Sequence, residues 1–399
     1  MKNKNYGWLT VVLLVSHVSL AKEPEKKPSG WSTKMHQMAQ ALSEILVDAS
    51  SVERFTAPKN AKRIEANSKK LADLAHDIAK ATQGAKSDVI SPDGDVSLGI
   101  ISGLFKEESN RAYQEIKRGN KVFARSIIRS IPSYCMGCHT RGSGGPEFGE
   151  LLTDAQIKGL SEYEKAEAYA SARQYDKALT QFESVIKNAK FSRERIVEWE
   201  RATRYAVAIS VRVKKDPKKA IAITEEVLGS KASPKYFRDD VELWKESLVA
   251  WEKEFSKTPT SEEGLFVEGQ RLMSLALSTQ KYSSDRGSEV IYLRATQVFH
   301  ELLKSYPKGG KTSESLYMLG LAYRALQDLN LWSLSDLYFE ACIRQSPKTE
   351  VASQCFKQYE ESVFIGYSGS GGVSIPSDVR AKVLELDSLA NGLRVEKAQ

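Results

Sequence analysis

Long apolar runs are missing from this 399-residue chain. Past the first residues, nothing approaches the roughly 20 consecutive apolar residues that a bilayer-crossing helix needs, so no membrane span is expected. Strand patterning is missing as well, which removes the strand-to-helix setting of a thioredoxin-like redox pair. Only four cysteines occur, Cys135, Cys138, Cys342 and Cys355. No second cysteine–histidine pair stands at finger spacing from the first two, so a zinc finger lacks its other half. No nucleic-acid motif is present, and nucleic acid is not an expected partner.

The first residues do carry a pattern. Lys2 and Lys4 precede the short apolar run WLTVVLLV, and VSLA ends on small residues at Ser19 and Ala21. This is the form of a secretory signal peptide, residues 1–21, with cleavage expected after Ala21. No cysteine stands immediately after that point, so a lipid anchor is not indicated. Export implies a periplasmic protein in a bacterium, and about 378 mature residues, 399 minus 21. That length is a soft expectation of two or three domains with ample core. Residues 22–141 hold 20 basic and 14 acidic residues, whereas residues 142–399 hold 36 and 37. The front part is therefore the basic one, and its charges read as a solvated helix surface.

Residues 22–30, KEPEKKPSG, read as a flexible lead-in. Four amphipathic helical patterns follow. Met35, Met38, Leu42 and Ile45 form one face, and Ile64, Leu71, Leu74 and Ile78 a second over residues 60–82. The turn-rich stretch SDVISPDGDVS separates them from a third helix over residues 96–118. Gly119 and Asn120 then break into a fourth, with Val122, Phe123, Ile127, Ile128 and Ile131 expected inward. Four such helices without a strand predict an all-α four-helix bundle over residues 31–141. RGSGGPEFGE marks a linker, residues 142–150.

The remainder is helical and repetitive. Ala166, Tyr169, Ala178 and Phe182 alternate small and aromatic residues, Ala208 and Ala220 repeat the theme, and Ala295, Phe299, Leu302 and Pro307 follow. Leu319, Gly320 and Tyr323, then Phe339, Cys342 and Pro347, complete it. These spacings resemble tetratricopeptide repeats, although Ala178 and Ala220 stand 42 apart rather than at the usual period of about 34. The resemblance implies an irregular α-solenoid of helical pairs over residues 151–364 that binds a protein or peptide partner. A break is expected around SKTPTSEEG. Residues 365–399 read as a glycine–serine loop and a short terminal helix. Cys342 and Cys355 flank the turn SPKTE on consecutive predicted helices, which admits either a disulfide or simple packing.

The chemistry sits in YCMGCHTRGSG. Its C-x-x-C-H spacing has three readings: a redox disulfide, a zinc site, or c-type haem attachment, with two thioethers from Cys135 and Cys138 and His139 under the iron. Export and the absence of strand and of a second ligand pair leave haem c as the reading with the best context. With that motif at the end of the fourth helix, residues 31–141 resemble cytochrome c′ and its haem-binding four-helix-bundle relatives. The resemblance implies one haem slotted between the helices. It also implies either a methionine early in helix one as second axial ligand, here Met35 with Met38 as substitute, or an apolar side that admits small gases. Arg125, Arg129 and Arg141 are candidate partners of the haem propionates. Pro132, seven residues before His139, is expected to kink or restart the fourth helix. His36 and His76 read as surface or core-edge residues, and His300 has no assigned role.

The whole then reads as an exported electron carrier rather than an enzyme, working with an unidentified redox protein and tethered by its solenoid. A gas-binding or sensing haem protein and a haem-stabilised adaptor are the alternatives. A haem peroxidase would need a distal acid–base group, and none is recognisable beside the motif.

Overall fold

The computed structural model describes residues 30–83, 96–139, 152–254, 259–282, 285–326 and 334–392. The signal peptide, the lead-in up to residue 29, the loop over 84–95 and the linker fall outside these, and Gly30 of the expected lead-in opens the first helix. The chain is all-α, as its patterning predicts. The strands among the described residues are one two-residue hairpin, Ser368–Gly369 with Gly372–Val373, inside the expected glycine–serine loop.

The front part consists of α1 (Gly30–Ala49), the short α2 (Val52–Thr56), α3 (Ala61–Gln83), α4 (Val96–Lys117) and α5 (Lys121–His139). Their limits follow local chemistry. Ser51 caps α2 by accepting the Arg54 amide, and Pro58 opens a 3-10 turn ahead of α3. Gly119, at φ +85°, ends α4 in the left-handed conformation that residues with a Cβ resist. Each long helix packs on the next and α1 touches α5, so the four close into a ring. Met38, Leu42, Ile45, Ile64, Leu71, Leu74, Ile78, Phe105, Ile127, Ile128 and Ile131 are buried within it.

At α5 the inward placing of Val122 and Phe123 is corrected, and so is the restart alternative at Pro132. Val122 and Phe123 are exposed, at 61% and 47%. They stand in the first turn of the helix, where the Arg111 guanidinium lies over the Phe123 ring at 5.1 Å instead of a core closing on it. Pro132 does not restart the helix, which runs unbroken to His139. Pro132 is buried where α5 meets the next helix, and its carbonyl accepts the Ser171 hydroxyl at 3.4 Å. That contact ties α5 to α6 beside the proline.

Beyond the linker come α6 (Glu162–Ser171), α7 (Tyr175–Lys187), α8 (Ala189–Glu194) and α9 (Ile196–Ala208), then a π-helical turn (Ile209–Val213) and α10 (Pro217–Gly229). They are followed by α11 (Lys235–Glu254), α12 (Glu262–Thr279), α13 (Glu289–Ser305), α14 (Thr312–Ala325), α15 (Leu334–Gln345), α16 (Glu350–Gly366) and α17 (Ser377–Asn391). Packed pairs include α6 with α7, α10 with α11, α12 with α13, α14 with α15 and α16 with α17. The small and aromatic residues singled out from the spacing, Ala166, Tyr169, Ala178, Phe182, Ala220, Ala295, Phe299 and Phe339, are buried. A recurrent turn accompanies them. Arg173, Lys215 and Lys348 each adopt positive φ two residues before a helix begins, at Tyr175, Pro217 and Glu350.

Close helix approach depends on glycine at two points. A Cβ on Gly269 or Gly320 would overlap the ring of Phe299 or Phe339. Helices distant in sequence are tied across the interior of this region. The buried Arg212, in the π-helical turn, donates to the Tyr323 hydroxyl at 2.6 Å, and Arg204 lies 3.6 Å from Glu289. His300 shares a 2.9 Å hydrogen bond with the same Tyr323 hydroxyl, which gives it a structural place. Cys342 of α15 and Cys355 of α16 are joined in a disulfide, and both are fully buried. The bundle rests on this region through contacts that include α5 on α6 and α4 on α15.

Gly320→Ala is expected to destabilise the chain by about 1–3 kcal/mol, because the methyl must displace the Phe339 ring in a filled core. Urea unfolding checks this, and an unchanged midpoint would mean that α14 and α15 can move apart freely.

Candidate functional site

The C-x-x-C-H motif occupies the last turns of α5, and where that end lies is decided by the pairing of helices. Arg125 near the start of α5 donates from Nε to the Ala49 carbonyl at 2.8 Å and from Nη2 to the Ser50 carbonyl at 3.3 Å. These are among the unpaired carbonyls at the C-terminus of α1, where a cation is favoured. The contact makes α1 and α5 antiparallel. His139 is fourteen residues beyond Arg125, and Met35 is fourteen before Ala49. Each distance is about 21 Å of helix, so the backbone of Met35 stands level with the motif.

The other helices agree. Lys34 of α1 pairs with Asp77 near the end of α3 at 2.8 Å. Asp48, at the far end of α1 and 1% exposed, pairs with Arg63 near the start of α3 at 2.5 Å. Lys117 near the end of α4 lies 4.0 Å from Glu65. The motif end therefore gathers the start of α1, the end of α3, the start of α4 and the end of α5. Met38 is buried there with Ile78 and Phe105, while Met35, Tyr134 and Cys135 are half-buried and packed against the same core. Burial, with Glu108 next, raises the Tyr134 pKa. Tyr134 escaped the sequence reading because a residue flanking C-x-x-C-H carries no signal of which way it faces.

Two of the proposed propionate partners have partners within the fold. Arg125 is committed to the α1 carbonyls at the opposite end of the bundle. Arg129, ten residues before His139, faces α6, with its Nη2 3.4 Å from Glu164 Oε1. Both arginines join elements of the fold. Arg141 lies outside the described residues, as do the side chains of Cys138 and His139, whose backbone completes α5. His36 is half-buried and His76 exposed, in line with the sequence reading.

The donor set suits a haem in one respect that is on view. Cys135 sits on the face of α5 that packs inward, at the end where two methionines of α1 are placed. Among the described residues, no group of three His, Cys, Asp or Glu side chains is arranged to hold a metal ion. None of the described helices is long and apolar enough to cross a membrane. The fold and this constellation define an all-α protein of two parts, a four-helix ring ending in C-x-x-C-H and a set of packed helical pairs. No protein-family model, curated protein or solved structure matches the chain.

Arg125→Met is expected to cost about 1–3 kcal/mol of stability, the range for a charge-assisted hydrogen bond left unmade. Chemical denaturation measures it. A variant of native stability would mean that this contact does not hold α5 on α1.

Proposed function

We propose that the chain is an exported c-type cytochrome that carries single electrons, with its helical pairs acting as a tetratricopeptide-like scaffold for a protein partner. One observation carries this reading: the antiparallel pairing of α1 with α5 brings Met35 level with a C-x-x-C-H motif that closes the last helix of the ring. In that reading the Cys135 and Cys138 thiols anchor haem c covalently and His139 is the proximal ligand. The bound group would supply one-electron chemistry. The chain's own residues orient it and keep water from it, with Met38, Ile78 and Phe105 as a buried apolar wall. Thioether ligation by Met35, or by Met38 in its place, would raise the potential and suit electron transfer.

Export is supported by the buried Cys342–Cys355 disulfide, a bond that persists in oxidising compartments. The scaffold role rests on architecture: paired helices with recurring small–aromatic contacts and a shared turn at Arg173, Lys215 and Lys348. A five-coordinate, gas-binding haem is the second reading. It is favoured by the same apolar wall, which would admit a small neutral ligand if neither methionine reached the iron.

Haem-stained denaturing gels of periplasmic extract test the attachment. Wild type is expected to stain and Cys138→Ala to lose the stain; equal staining of both would sink covalent attachment through this motif. The reduced absorption spectrum with and without carbon monoxide separates the two readings. A low-spin spectrum that resists the gas in wild type, and yields to it in Met35→Leu, is expected from methionine ligation.

A further inference from the structure

One end of the bundle carries positive charge that neither the fold nor the proposed function uses. The stretches TAPKNAKRI, residues 56–64, and IKRGNKVF, residues 116–123, hold six basic residues and no acidic one. These are Lys59, Lys62, Arg63, Lys117, Arg118 and Lys121. The fold brings the two stretches together, since the Lys121 ammonium donates to the Thr56 carbonyl at 3.5 Å. This is the end opposite the C-x-x-C-H motif, where α1 and α4 finish and α3 and α5 begin.

The acidic groups around it leave the charge largely uncancelled. Asp48 is 1% exposed and is held by Arg54 and Arg63. Glu115 accepts from Arg118 at 2.8 Å and from Asn120 at 2.6 Å. Glu65 lies 4.0 Å from Lys117, and Glu53 is exposed in the neighbouring α2. Among the described residues, Lys59, Lys62 and Lys121 pair with no carboxylate. Directly after Lys121 the chain exposes two consecutive apolar side chains, Val122 and Phe123, with the Arg111 guanidinium over the Phe123 ring. A patch built on turns at the tip of a bundle can bring its lysines and this apolar pair onto a flat surface together. Cations that meet phosphates, beside apolar side chains that enter the acyl boundary, are the two contacts an anionic lipid layer rewards.

We propose that this end of the bundle docks on anionic phospholipid, with the lysines and Arg118 on the headgroup phosphates and Val122 and Phe123 reaching below them. The positive charge selects an anionic layer over a neutral one, and the exposed apolar pair favours lipid over an acidic protein. The association is peripheral and needs no membrane-crossing helix, and it does not depend on a haem being present. From Lys121 to His139, α5 runs for 19 residues, about 28 Å. Docking by its first turn therefore leaves the motif at the far end of the bundle, free of the lipid surface.

Co-sedimentation of the full mature chain with vesicles tests the proposal, using phosphatidylcholine alone and phosphatidylcholine mixed equally with phosphatidylglycerol. Wild type is expected to partition onto the mixed vesicles only, and less as salt rises. Lys59→Gln and Lys62→Gln are each expected to weaken partition about 5-fold, the effect of one basic residue near an anionic surface. Phe123→Ser is expected to weaken it while leaving the salt dependence as in wild type. Lys231→Gln combined with Lys308→Gln, two exposed lysines of the repeat region, is expected to bind as wild type does. All these positions are exposed, and matching urea midpoints show that the variants remain folded. Equal partition onto both kinds of vesicle, or an equal loss in the repeat-region variant, would overturn the proposal. So would failure to bind either vesicle while binding soluble polyglutamate through Lys59 and Lys62, which would make an acidic protein the occupant.

Discussion

The pairing of Arg125 with the last carbonyls of α1 is the constraint on which the arrangement of the front part rests. A helix C-terminus offers carbonyls with no partner, and a guanidinium with several fixed donors can satisfy two of them at once. Placed at the start of α5, that contact sets both direction and register. Everything fourteen residues away on either helix is then brought to one level, including Met35 and His139. Asp48 reinforces the same corner from inside, accepting from Arg54 and Arg63 while itself 1% exposed. The end that carries the motif is thus positioned by an interaction at the other end, through the stiffness of the helices between.

The second part of the chain solves a different problem. Short helices bury enough surface only if each packs closely on its neighbours, and Gly269 and Gly320 permit this by leaving room for the rings of Phe299 and Phe339. Contacts between helices distant in sequence, Arg212 with Tyr323 and Arg204 with Glu289, hold the pairs as one body. At α5 and α6 the two solutions meet. The meeting surface carries the Arg129–Glu164 pair, and beside it desolvation raises the pKa of Glu167.

Much of this was legible beforehand. The helices of the front part lie close to where their apolar spacing puts them, because a repeating stripe is a property of the chain itself. Gly119 and Asn120 marked a true break. The small and aromatic residues marked the packed faces, and the two late cysteines lie on neighbouring helices that bond. Periodicity failed at Val122 and Phe123, since an apolar residue in a first turn can lie beyond the reach of the core. Of the two expectations for Pro132, a kink or a restart, the restart does not occur, and the helix runs on through it.

Helical content, the division into two kinds of helical region and the C-x-x-C-H string are written in the order of residues, since each depends on near neighbours. The partners of Arg125 and Arg129, the depth of Val122, Phe123 and Tyr134, and the environment of Glu167 are not. Those depend on which distant helices come together, and charged groups respond to how much water that meeting leaves around them. Arg125 and Arg129 thus hold helices together, and Glu167, with no motif around it, has its acidity shifted by the packing. The sequence alone determined what chemistry the chain carries; packing decided where it stands and which charges are left to act on it.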